Sequence, residues 1–393
     1  MKQPPEALDR REFLRNSALA AGALALPPQD KDQPHGKQKG GVRWKTKRVV
    51  LVAFAGGVRS KEVLESPANV PNLTKIAGAG CVFPNVRAAN LGHYGAALSL
   101  FTGVAEPMGI RDDQRGSSPT IFEYLRKHCG FRNNDIWLST ANGAQGRLFA
   151  HSSHPQYGKT FAANVLDGDG IFNKEFKDVL ESFGRPKADD PATRKAMDRL
   201  AAALDPEQLG AVEGTRPDPA HIRAVERFIL EELQGSNTRI TGPGAGDAKA
   251  IRVAHNLLRV FKPKLLGITL QNADIAHGSY NGYVEVIRRN DAELGKLWQA
   301  IQSDRELRET TTVMICPEFG RDANLNQRNG LDHGDGSDSL RRVFMICAGP
   351  DFKKNKVISK EIQTVDLCPT VLSLFTRQKA THSNARVIRD AFV

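Results

Sequence analysis

An aspartate and a histidine three residues apart, Asp274 and His277, follow directly on the apolar run Leu265–Leu270, and a second pair, Asp332-His333, lies further along the chain. A carboxylate and an imidazole three residues apart after a strand are candidate metal donors. Glu318 and Arg321 follow another apolar run, residues 311–316, in the order Glu-Phe-Gly-Arg, and His93 stands in Asn90-Leu-Gly-His-Tyr94. Beside a metal, His93 and Glu318 are candidates for proton transfer or nucleophilic attack, and Arg321 for gripping an anionic oxygen. Each group also has a plainer reading. Asp274 and His277 serve equally as turn or capping groups, His93 as a hydrogen-bonded loop histidine, and Glu318 with Arg321 as a structural ion pair.

The elements that must position these residues are legible as apolar runs rich in β-branched side chains: Arg48–Phe54, residues 135–139, Leu265–Leu270, residues 311–316 and residues 343–348. Continuous apolar runs of this length are expected of strands buried on both faces. Between them lie helical patterns. Residues 119–128 follow a cap-like Ser117-Ser118, residues 95–102 are small, and residues 283–301 place Ile287, Leu294, Leu297, Trp298 and Ile301 near one face. Strands alternating with helices predict an α/β fold, a largely parallel sheet sandwiched by helices. In such sheets ligands bind beyond the carboxyl ends of the strands, where the candidate residues fall.

Residues 48–149 and 263–393 make up this domain. Residues 150–262, with charged helical stretches at 174–183, 192–204 and 219–233, read as a helical insertion or cap. The glycine-rich stretch at 242–246 lacks the Lys-Ser/Thr of a phosphate cradle and reads as a hinge or turn. Asp291 reads as a capping or packing acid, and His151 and His154 as surface-loop residues.

The first 26 residues carry Arg10-Arg11-Glu12-Phe13-Leu14-Arg15, which resembles a twin-arginine export signal. The apolar stretch behind it is too short for a permanent membrane span, and small residues at Ala23-Leu24-Ala25 suit cleavage. The implied partner is the Tat translocase, and the implied location periplasmic or secreted. Residues 27–47 read as a flexible tether. The formal charge of +11 favours an anionic substrate, a small molecule or a polysaccharide. No basic helix or aromatic–basic interleaving points to nucleic acid. The five cysteines form no CxxC pair, and Cys316 and Cys347 sit in strand-like runs as small apolar groups.

The order of these motifs resembles the alkaline phosphatase/sulfatase/phosphodiesterase superfamily, over roughly residues 48–125 and 263–376. Pro71-Asn72-Leu73, Thr102-Gly103, the Asp/His pair after a strand, a final His and Gly349-Pro350-Asp351-Phe352 carry the likeness. Glu318-Phe319-Gly320-Arg321 with Gly330-Leu331-Asp332-His333, and His93-Tyr94 at the nucleophile position, resemble an uncharacterised Tat-exported subgroup more closely. The resemblance implies a metal-dependent hydrolase of phosphate or sulfate esters with Asp274, His277 and His333 as ligands; one carboxylate with two neutral imidazoles suits zinc or a similar divalent transition metal and leaves a coordination position open for water or substrate. Ala55, His93 and Glu318-Phe319 stand where the superfamily's second metal centre has other groups, so one ion is expected rather than two. A non-catalytic envelope binding or scaffold protein is the competing expectation.

Overall fold

The computed structural model describes residues 44–107, 114–168 and 240–393. The twin-arginine motif, most of the tether and the candidate helices at 174–183, 192–204 and 219–233 lie outside the described residues.

Nine strands form one sheet: β1 (Arg48–Phe54), β2 (Cys81–Arg87), β3 (Ile136–Thr140), β4 (Asn164–Asp167), β5 (Leu265–Leu270), β6 (Thr311–Pro317), β7 (Arg342–Ala348), β8 (Lys356–Val357) and β9 (Ile362–Gln363). Their order is β4-β3-β5-β1-β6-β7-β2-β8, with β9 also pairing with β2. The block from β4 to β6 is parallel, and only β7 runs against its neighbours. The expected α/β fold, a largely parallel sheet between helices, is the one observed. All five apolar runs are strands, and β1, β5 and β6 are buried along their whole length, as double-sided cover requires.

Six helices matter for the site: α1 (Pro71–Gly78), α2 (His93–Thr102), α3 (Ile121–Cys129), α4 (Ala245–Phe261), α5 (Tyr280–Ser303) and α6 (Leu367–Ser373). α5 buries Tyr283, Val286, Ile287, Asn290, Asp291, Leu294, Leu297 and Ile301, a stripe at helical spacing. Asp291 accepts hydrogen bonds from the backbone N–H of Asn72 and Leu73 and from the Asn72 side chain. It therefore caps α1, which begins at a proline and has no side-chain cap of its own. α3 starts later than the serine pair suggested. Thr120 is its cap, in a reciprocal box with Glu123.

Two stretches expected at the edges of a helical insertion belong to the sheet layer. β4 pairs with β3, and α4 packs on β5 and β3. Gly244, with φ of +77°, supplies the left-handed turn that launches α4, so the glycine-rich stretch is a turn. Among the described residues, no helix is long and apolar enough to cross a membrane.

The registers Phe54↔Leu270 and Phe54↔Pro317 make β5, β1 and β6 end level with one another. Pairing continues one step further, Ala55 N donating to Leu270 O and Glu318 N to Phe54 O. The segments that leave these three strands, beginning at Ala55, Gln271 and Glu318, thus emerge side by side.

Candidate metal centre

Asp274 and His277 lie on the 3₁₀ helix Asn272–His277 that follows β5. With three residues per turn, side chains three apart eclipse one another, and Asp274 Oδ1 comes within 3.3 Å of His277 Nε2. His93 opens α2 immediately after its cap, Gly92, and sets its Nε2 3.0 Å from the same oxygen. His333 arrives on the loop between β6 and β7. That loop is fastened to the 3₁₀ helix by Leu331 N to Ala276 O (2.6 Å) and to the start of α5 by Tyr280 N to Asn329 O (2.9 Å). Gly330 permits this approach, since a Cβ there would stand 2.3 Å from Ala276 O and 2.4 Å from His277 O.

His93, Asp274, His277 and His333 each offer one ligand atom, and these four atoms all lie within 4.8 Å of one another. The three expected ligands are brought together, and His93, expected as a proton acceptor or nucleophile, joins them. Four donors around an ion at bonds of about 2.1 Å stand about 3.4 Å apart in a tetrahedron; the two separations on Asp274 are 3.0 and 3.3 Å. His93 Nε2 is buried and makes no hydrogen bond despite its nearness to Asp274. The residues present therefore fit a divalent ion.

The charges point the same way. Burial opposes the protonated form of His93, but the carboxylates of Glu318 and Asp274 outweigh it and raise the imidazole to about 9. Burial, followed by the charges of His93, Arg321 and His277, lowers His333 to about 4, which leaves a neutral ring with a lone pair at physiological pH. Burial acts to raise Asp274, yet His93 and Arg321 hold its carboxyl well below the usual range. Phe319, fully buried, forms an apolar wall with ring centroids 4.7 Å from His93 and 5.2 Å from His333.

Two further candidates lie behind the cluster. Glu318 is fully buried behind His93, with Oε1 2.5 Å from His93 Nδ1, and burial raises its carboxyl. It is placed to orient the imidazole rather than to meet a substrate. Arg321, expected to grip an anion, is also fully buried. Its guanidinium donates to Asp274 Oδ1 (2.5 Å), Gly56 O (2.6 Å) and Leu331 O (3.3 Å), with a longer contact to Gly57 O (3.4 Å). Gly57 (φ +66°) keeps room for it, because a Cβ there would stand 2.8 Å from Arg321 Nε. The alternative pairing with Glu318 is not the one made: Arg321 pairs with Asp274. One residue of the sequence motifs was given no role of its own. Asp332, beside His333, lies 2.6 Å from His277 Nδ1.

The fold is an alkaline-phosphatase-like α/β fold, and a histidine–aspartate cluster lies at the carboxyl edge of its sheet. Among solved structures, it is similar to wild-type alkaline phosphatase PafA (TM-score 0.57, 10% identity) and to a four-substitution variant of that enzyme (TM-score 0.57, 11% identity). Each alignment covers 90% of this chain and 100% of the other. A phosphonate monoester hydrolase, SpPMH from Silicibacter pomeroyi, aligns with TM-score 0.46 at 14% identity, covering 88% of this chain and 76% of its own. No protein-family model and no curated protein sequence matches the chain.

Proposed function

We propose that this protein is a metal-dependent hydrolase of phosphate or sulfate esters, carried out of the cytoplasm by the Tat translocase to a periplasmic or secreted location. The observation that carries the enzymatic part is the convergence of His93, Asp274, His277 and His333 beyond the ends of β1, β5 and β6, where α/β sheets bind ligands. The export part rests on Arg10-Arg11 and the apolar stretch behind them. The likeness of Glu318-Phe319-Gly320-Arg321 and His93-Tyr94 to the Tat-exported subgroup supports both.

Asp274, His277 and His333 would hold a single divalent ion, of which zinc suits the donors best. Such an ion supplies Lewis-acid polarisation of an ester oxygen and positive charge against the anion that develops. Arg321 fixes Asp274 from beneath, so the carboxylate keeps its direction as charge changes in front of it. Phe319 excludes water from one side of the cluster. Glu318 holds His93 at Nδ1 and turns Nε2 toward the centre, where it is placed to accept a proton from attacking water. A small anionic ester or an anionic polysaccharide fits the basic charge of the chain.

The nearness of His93 Nε2 to Asp274 supports a second reading. Four protein donors close a tetrahedral site, which is the arrangement of structural rather than catalytic metal centres. In that case the protein is a non-catalytic envelope binding or scaffold protein that holds an ion. His93→Ala separates the two. Chromogenic phosphate monoesters, phosphate diesters and sulfate esters are offered to metal-loaded wild type, chelator-treated wild type and the variant. The hydrolase reading predicts turnover only by loaded wild type, with metal retained but activity lost in His93→Ala. No turnover of any ester, together with loss of the metal in His93→Ala, would establish the second reading instead.

A further inference from the structure

His93 and His277 enter the cluster in the same way. Each offers Nε2 to the centre and has Nδ1 against a carboxylate, Glu318 at 2.5 Å and Asp332 at 2.6 Å. A histidine whose Nδ1–H is donated to a carboxylate is fixed in tautomer and ring orientation, and its other nitrogen becomes a better ligand. Asp332 is itself held. Its Oδ1 accepts from Arg328 Nη2 (3.1 Å), its Oδ2 from Asn326 Nδ2 (3.0 Å), and its backbone oxygen from Asp322 N (2.9 Å). Asn326 also donates to the backbone oxygen of His277 (3.1 Å) and accepts from Arg328 N and Gly330 N (2.9 Å each). One side chain thus joins the orienting carboxylate, the backbone of the ligand it orients, and the turn that brings in His333.

We propose that Asp332 is a positioning residue for the metal centre, clamping His277 through Nδ1 and held for that task by Asn326 and Arg328. The inference rests on the metal-binding reading above and adds to it the residue that sets the affinity of the site. Glu318 is fully buried, and replacing it disturbs the core. Asp332 has a side chain 39% exposed, so it can be changed without opening a cavity. Deleting an orienting carboxylate of this kind costs metal sites roughly 10–100-fold in affinity.

The test uses full-length protein stripped by a chelator and titrated with zinc against a chromophoric competitor, and then with cobalt, whose visible absorption reports ligand geometry. Asp332→Ala should bind zinc roughly 10–100-fold more weakly than wild type and shift the cobalt spectrum. Asp332→Asn, which keeps an acceptor but loses the charge, should fall between. Asp390→Asn, which breaks an exposed pair with Lys360, should match wild type in both assays. Metal-free unfolding midpoints of Asp332→Ala and wild type should agree, which separates positioning from general stability. Equal zinc affinity and identical cobalt spectra in Asp332→Ala and wild type would overturn the clamp while leaving the metal reading intact. Wild type that binds neither ion would overturn both.

Discussion

Replacing Arg321 with methionine tests whether a buried guanidinium is the base on which the candidate centre stands. The side chain is fully buried, and its three well-formed bonds go to Asp274 Oδ1, Gly56 O and Leu331 O. Methionine approximates its length and keeps the space filled, but it donates nothing. Gly56 and Leu331 are themselves buried, so each carbonyl loses its partner at a cost of about 1–3 kcal/mol. Asp274 is about half exposed, and solvent screening limits its share of the lost ion pair to about 0.5–1 kcal/mol. Removing the guanidinium also removes the cost of burying its charge, which offsets part of the loss. The net expectation is about 2–4 kcal/mol, a large fraction of the 5–15 kcal/mol typical of folded domains at ~25 °C. Urea unfolding of the full-length chain in excess chelator measures it without any contribution from bound metal. Arg321→Lys, which keeps the charge but not the planar fork, should lie between wild type and Arg321→Met. A loss below about 0.5 kcal/mol in Arg321→Met, with an unchanged denaturant slope, would refute the claim that these bonds hold the strand-end loops together.

Three further outcomes follow from the same geometry. Glu123 is buried and accepts from Thr120 N and Oγ1, Ser152 N and Oγ, and Gly158 N. Glu123→Gln turns donors toward donors and should cost about 2–4 kcal/mol in urea unfolding. Burial raises the carboxyl of Asp247 from its ordinary value to about 6, against hydrogen bonds from Asn290, Asn272 and Gln271. A raised folded pKa means that stability is full below about pH 4 and declines as pH rises through 6. The wild-type-minus-Asp247→Asn difference in unfolding free energy should show that decline, and a flat difference between pH 4 and 7 would contradict it. Replacing Arg10-Arg11 with Lys-Lys should leave folded, metal-containing precursor in the cytoplasm, read by fractionation and metal analysis. Normal export of this variant would remove the twin-arginine assignment.

What the sequence revealed followed from burial on both faces. β1, β5, β6 and β7 carry continuous apolar runs because helices cover the sheet on each side, so their order and the polar groups after them were legible. β2 was not, because Pro84 and a register shift between Phe83 and Val86 break its pattern. β4 was missed as well: it is a four-residue edge strand with polar ends, Asn164 and Asp167. The true cap of α3 was written in the sequence as Thr120-Ile-Phe-Glu123 but lay behind the more conspicuous serines. At the site, the strand-end position and the family resemblance pointed to Asp274, His277 and His333, which the fold brings together. Types could not assign depth. Arg321 and Glu318 look like solvent-facing chemistry in the sequence. They are buried because neighbouring strand-end loops converge on them, a consequence of level strand ends rather than of any local pattern. The place of His93 was hidden for the same reason, since only the fold sets its Nε2 beside Asp274.

The most direct test of the account is the metal content of purified full-length protein beside an Asp274→Ala/His333→Ala double variant. After dialysis against trace zinc, wild type should retain about one ion per chain and the double variant almost none, with matching far-ultraviolet circular dichroism. Equal, near-zero metal in both, from protein that is folded, would contradict the claim that these residues form a metal centre.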